Sequence, residues 1–167
     1  MASDKPSVDA PDLTTLLERL CASGVEFILV GGLAAVTQGA PVTTFDIDIV
    51  PSLEAANLGN LLNLLESVNA RYRGRPAGQT LRPTQMDLAA GGHCLLMTDL
   101  GPLDVLGEIE QGSRFEVLLE DTIEIPFRDH DIRVLSLEAM VRMKRKSHRE
   151  KDRTRLAVLE ETLKRKP

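Results

Sequence analysis

One stretch, Val25 to Pro51, constrains the fold of this 167-residue chain more than any other. It reads VEFILVGGLAAVTQGAPVTTFDIDIVP. Val25 to Val30 is mostly apolar and rich in β-formers, so it predicts a strand that stops at Gly31-Gly32. Leu33 to Gln38 suits a short helix, closed by Gly39 and Pro41. Phe45 to Val50 predicts a second strand, and it carries Asp46 and Asp48. Strand residues two apart share a face. Asp46 and Asp48 therefore project together, with Phe45, Ile47 and Ile49 in the opposite layer. Two carboxylates side by side on a rigid strand repel each other, so a cation or a shared proton must compensate. Mg2+, a hard ion that prefers oxygen ligands, fits that role.

The remainder supplies a scaffold for this stretch. Residues 1–10 are polar and read as a disordered tail. Pro11 to Ser23 predicts an amphipathic helix, with Leu13, Leu16, Leu17 and Leu20 on one face and Gly24 as its stop. Pro51-Ser52 opens a longer helix, Leu53 to Ser67, with Leu58, Leu61, Leu62 and Leu65 at helical spacing. Residues 69–92 hold Arg71, Arg73, Arg75 and Arg82 among glycines and prolines. They read as a long loop, either a mobile substrate-facing segment or a disordered surface excursion. His93 to Met97 and Leu103 to Leu106 predict a hairpin. Asp104 lies inside its second strand, between Leu103 and Val105, where a carboxylate needs a partner.

Ser113 to Leu119 suits a short helix. Thr122 to Phe127 and Asp131 to Leu135 predict a second hairpin. Ser136 caps a helix that turns Ala139, Met140 and Met143 inward. A break at Ser147-His148 precedes a last helix, Glu150 to Leu163. The class is mixed α/β (α+β). We expect one domain over residues 11–167, with a small mixed sheet, flanking helices and a helical C-terminal segment over 135–167.

Composition narrows the function. No apolar run is long enough to span a membrane, and the N-terminus shows no secretory pattern. Cys21 and Cys94 lack metal-ligand spacing and read as free buried thiols of a reducing, cytoplasmic protein. Aromatic residues make up only 3%, which argues against a stacking platform for single-stranded nucleic acid. The net charge of −5 hides an asymmetry. Residues 141–167 hold eleven Lys/Arg against four Asp/Glu, a balance of +7 that leaves −12 for the rest. Such an edge attracts anions, phosphates or RNA among them; a solvated helical face is the alternative.

Three features converge on one chemistry. A Gly-Gly turn between strand and helix presents backbone N–H groups to phosphate. A D-x-D pair follows on the next strand, and a third carboxylate, Asp104, lies on a later one. Two divalent ions held about 3.5–4 Å apart can bind the attacking and leaving oxygens of a phosphoryl displacement.

At these residues the chain resembles the nucleotidyltransferase superfamily that includes DNA polymerase β. The resemblance rests on Gly31-Gly32, on thirteen residues separating Gly32 from Asp46, on Phe45-Asp46-Ile47-Asp48-Ile49, and on the distant Asp104. The stretches TDLGPLDVLGEI, VLSLEAMVRMK and Arg149-Glu150-Lys151-Asp152 extend it towards the small prokaryotic branch of abortive-infection and toxin-type enzymes.

The resemblance implies that Asp46 and Asp48 ligate Mg2+ and that Asp104 completes the site and helps deprotonate an acceptor hydroxyl. It implies that Gly31 and Gly32, with Thr44 nearby, hold a nucleoside triphosphate. Lys144 and Arg149 would neutralise its phosphates or shape the edge of the site. The implied reaction moves a nucleoside monophosphate to a hydroxyl of RNA, protein or a small molecule, and a toxin-type role would bring an antitoxin partner. Members of the branch often carry R-x-T-x-D, whereas this chain has Val42 in the arginine position with Thr44 and Asp46 retained. That departure supports an alternative, a binding or regulatory module that has lost turnover.

Overall fold

The computed structural model describes residues 10–167, so the expected N-terminal tail lies almost wholly outside the described residues. Seven strands and seven α-helices are present among those residues. In chain order they are α1 (Leu13–Ala22), β1 (Phe27–Val30), α2 (Gly31–Thr37), β2 (Ile47–Pro51), α3 (Ala55–Ser67), β3 (Arg71–Tyr72) and α4 (Gln85–Ala89). Then come β4 (His93–Thr98), β5 (Gly101–Leu106), α5 (Phe115–Leu118), β6 (Thr122–Phe127), β7 (His130–Leu135), α6 (Leu137–Arg145) and α7 (Glu150–Arg165).

All seven strands form one mixed sheet, in the order β3-β4-β5-β2-β1-β7-β6. The central strands are β5, β2 and β1. β2 runs antiparallel to β1 and parallel to β5, and β1 runs parallel to β7. The predicted hairpins are both present, as β4-β5 and β6-β7. The mixed α/β class is that expected.

Alternation along the central strands separates core from site. Ile47, Ile49, Leu103 and Val105 are buried on one face. They join a continuous core with Leu16 and Leu20 of α1 and Leu58, Leu61 and Leu65 of α3. Each fully buried leucine contributes about 2–3 kcal/mol by leaving water. Asp48 and Asp104 point to the other face, bordered by α2, α6 and α7.

Local chemistry sets the helix ends. Asp12 caps α1 by accepting from the Thr15 N–H at 3.1 Å, and Gly24, at φ +76°, lets the chain leave. Ser136 caps α6 by accepting from the Ala139 N–H at 3.2 Å. The side-chain amide of Gln38, at the end of α2, donates to Leu135 and accepts from the N–H of Leu137. That residue fixes α2 against the start of α6.

Three expectations need correction. Phe45 does not enter the opposite layer; it is 70% exposed. β2 begins only at Ile47, and its pairing with β1 reaches no further than Asp48 opposite Val30. Residues 69–92 are not a structureless excursion. They hold β3, paired to β4 through Arg71–Met97 and Tyr72–Leu96, and they hold α4. A reciprocal capping box between Thr84 and Asp87 starts α4. Cys94 is buried as expected, but Cys21 is only half-buried. Burial pushes both thiols up from their ordinary values, which lowers their thiolate fraction.

Candidate active site

The site forms where β1 ends and α2 begins. Gly31 has φ +71°, a conformation that disfavours any side chain. A methyl group added there would also fall into the carboxylate of Asp48. Glycine is therefore required by the closeness of Asp48 as well as by the backbone. Gly32 is enclosed on another side. A methyl group there would stand 2.9 Å from Nη1 of Arg155 and 3.0 Å from Oγ1 of Thr44.

Sheet register brings the carboxylates together. Asp48 lies directly opposite Asp104 in the parallel β2-β5 pair. Asp46 precedes β2 and is steadied by Thr44, whose hydroxyl lies 3.2 Å from the Asp46 carbonyl and 3.4 Å from its Oδ1. One oxygen from each of Asp46, Asp48 and Asp104 fits within 4.8 Å of the others. Such a cluster cannot hold three full negative charges without compensation. Burial first, then the charges of Asp46 and Asp104 and a hydrogen bond with Asp104, push the Asp48 carboxyl up to about 7.

Arg73 supplies partial compensation. Its Nη1 stands 2.6 Å from Oδ1 of Asp104 and donates to the carbonyl of Leu96 at 2.7 Å. The contact with Asp104 is an ion pair without hydrogen-bond alignment, so this enclosed oxygen has no hydrogen-bond donor among the described residues. Arg73 comes from the segment read as a loop. The run of arginines in 69–92 was the only signal for it.

The carboxylates open on a cleft of about 470 Å³. Arg149, Lys151 and Arg155 line it, and among the described residues none of them pairs with a carboxylate. Lys144 lines it too, but its ammonium is held by Asp152 at 3.1 Å. Ser147 donates to the other oxygen of Asp152 at 2.5 Å. The Ser147 hydrogen bond, then Lys144, lowers the Asp152 carboxyl. This group ties α6 to α7.

Val42 packs against the hydrophobic core. The guanidinium beside Gly32 and Thr44 comes instead from Arg155, a residue 111 positions after Thr44 in the chain. No local pattern marked Arg155; it was one cation in a basic helix.

A divalent cation suits this arrangement. Two carboxylates converge from neighbouring strands and a third from the residue before β2, one enclosed oxygen lacks a hydrogen-bond donor among the described residues, and burial and crowding raise the Asp48 carboxyl. All-oxygen ligation is the donor set of Mg2+.

The fold has counterparts among solved structures. The lincosamide antibiotic adenylyltransferase LnuA, with lincomycin bound, superposes over 90% of this chain and 96% of its own, with TM-score 0.59 and 19% identity. The antibiotic-resistance factor ANT(2'')-Ia aligns over 90% of this chain and 84% of its own, with TM-score 0.54 and 15% identity. The fold is that of the nucleotidyltransferases. A Thermotoga maritima protein described as a nucleotidyltransferase aligns over 89% of this chain and 91% of its own, with TM-score 0.50 and 21% identity. No protein-family profile matches the chain, and no curated protein matches its sequence. The nucleotidyltransferase fold is thus carried by structure at low sequence identity. No helix among the described residues is long and apolar enough to cross a membrane.

Proposed function

We propose that this protein transfers a nucleoside monophosphate from a nucleoside triphosphate to a hydroxyl acceptor, with Mg2+ as cofactor. The observation that carries the reading is the carboxylate trio opposite Gly31, in one cleft with three cations that lack carboxylate partners among the described residues. Acids without the cations would suit a metal site alone. Cations without the acids would suit an anion site alone. Together they suit a triphosphate whose reacting phosphorus lies at the acids and whose leaving group lies at the cations.

Asp46, Asp48 and Asp104 would hold Mg2+, which neutralises phosphate charge and lowers the barrier to in-line displacement. The chain's own groups do the rest. Gly31 and Gly32 leave room for phosphate close to the backbone. Arg155, with Arg149 and Lys151, binds the β and γ phosphates and stabilises departing pyrophosphate. Asp104 accepts the proton of the acceptor hydroxyl as its oxygen bonds to phosphorus. Arg73, in contact with Asp104, limits repulsion in the trio while the cleft is empty of substrate.

The acceptor is a hydroxyl of RNA, protein or a small molecule. The two antibiotic-resistance neighbours lend weight to a small molecule, and the basic C-terminal segment lends weight to RNA or protein. A toxin-type role with an antitoxin partner rests on the sequence resemblance alone. Arg155, beside Gly32, offers the cleft a guanidinium that Val42 does not, which favours transfer over the inactive-module alternative.

The test is incorporation. Each of the four α-labelled ribonucleoside triphosphates is incubated with protein and Mg2+, using total RNA, a protein lysate or a pool of small hydroxyl compounds as acceptor. Label in one fraction, lost in Asp46→Ala and Asp48→Ala, supports the reading. Nucleotide binding without any transfer would replace it with the binding module.

A further inference from the structure

The catalytic cleft continues into a second recess that the transfer reaction has not yet used. This recess has a volume of about 150 Å³ and is walled by Val30, Leu106, Ile109, Leu135, Met140 and Met143. Gly31, Asp48, Leu106, Glu110 and Lys144 border both spaces, so the two form one groove with a charged half and an apolar half. Only two enclosed side-chain oxygens lack a hydrogen-bond partner among the described residues, Oδ1 of Asp104 and Oε2 of Glu110. Asp104 lines the charged half of this groove and Glu110 borders both halves. The first is accounted for by a cation. The second is not, and an enclosed carboxylate oxygen without a donor is costly.

We propose that the apolar half is the base pocket of the donor nucleotide and that Glu110 selects guanine. This rests on the nucleotidyl-transfer reading. A nucleoside triphosphate is itself a molecule with one charged end and one flat, largely apolar end, in that order along its length. An acceptor has no such obligation. A space of about 150 Å³ admits one aromatic ring, and the adjoining cleft of about 470 Å³, which shares Gly31 and Asp48 with it, has room for the second ring and the ribose. Two methionine sulfurs suit the edge of an aromatic ring.

The carboxylate then decides which base. Guanine offers adjacent N1–H and 2-amino donors, which one carboxylate can accept together. Adenine and cytosine offer a single amino group, beside a ring nitrogen that repels a carboxylate. Uracil offers one N–H between two carbonyl oxygens. Glu110 therefore ranks guanine first and uracil last.

Binding is measured by calorimetry on the whole protein with Mg2+ and the non-transferable α,β-methylene analogues of GTP, ATP, CTP and UTP. The GTP analogue should bind at least about tenfold tighter than the others, because hydrogen bonds to a charged group are the strong kind. The inosine analogue, which lacks the 2-amino group, should lose about tenfold on the unmodified protein. In Glu110→Gln the four affinities should converge to within about threefold. Equal affinities in the unmodified protein, no loss with inosine, or a guanine preference that survives Glu110→Gln would each overturn the assignment and leave the transfer reading standing. Failure of every nucleotide to bind would overturn both.

Discussion

Raising the pH of the metal-free protein from about 5 to about 8 should cost it stability through one residue, Asp48. Its carboxyl is pushed up to about 7 in the folded chain, chiefly by burial and then by the charges of Asp46 and Asp104. In the unfolded chain it titrates near 3.8. Between those values the folded state holds a proton that the unfolded state has lost. The folded-state pKa is raised, so the stabilisation is complete below the unfolded pKa and is lost as pH rises through about 7.

At about 1.4 kcal/mol per pH unit the full loss is at most about 4 kcal/mol, of which about 3 kcal/mol falls between about pH 5 and about pH 8. For a chain of this size that is on the order of 10 °C in Tm. Mg2+ bound at the trio would take the proton's place, so the stabilisation it gives should grow over the same pH range. Asp48→Asn keeps the shape of the neutral carboxyl and cannot ionise. Thermal melts of the two proteins, with and without Mg2+, measure the effect. Subtracting the variant's profile removes the contribution of the three histidines. The variant should be the more stable at about pH 8 without metal and should gain little from Mg2+. A flat difference profile, or equal Mg2+ stabilisation of both proteins, would refute the reasoning.

Gly31→Ala should lower stability by at least about 1–2 kcal/mol from its φ of +71° alone, and it should abolish Mg2+-dependent stabilisation by displacing Asp48. Melts with a metal titration check both effects. Arg73→Met removes the cation beside Asp104, so Mg2+ should bind several-fold tighter while the metal-free protein melts lower at about pH 8; calorimetry and melts read the two effects. Lys144→Met leaves Asp152 without its ammonium and should cost about 2 kcal/mol, between the values for exposed and buried pairs, by denaturant titration. Arg155→Ala should weaken triphosphate binding about tenfold and monophosphate binding less, because the guanidinium faces the Gly32 side of the cleft.

The sequence made the central strands legible because their signals are local. Period-two alternation marked Ile47, Asp48 and Ile49, and the same alternation marked Leu103, Asp104 and Val105. Three groups escaped for a common reason: each acts far from its own neighbours in the chain. Arg73 reaches Asp104 across β4, Arg155 reaches Gly32 from α7, and Glu110 reaches the groove from the turn after β5. Arg73 had only the surrounding run of arginines to mark it, and nothing within a few residues of Arg155 or Glu110 signals a role. Phe45 was misplaced because β2 starts later than its apolar pattern, where pairing with β1 gives out at Asp48. α4 was missed because five residues are too few for helical periodicity to show, although Thr84 and Asp87 stood at capping-box spacing.

The most direct test of the central claim is anomalous diffraction from crystals grown with Mn2+ and a non-transferable nucleoside triphosphate. The account predicts manganese bonded to oxygens of Asp46, Asp48 and Asp104, with the triphosphate between it and Arg155. Manganese bound elsewhere, or nucleotide bound with no metal at the trio, would contradict it.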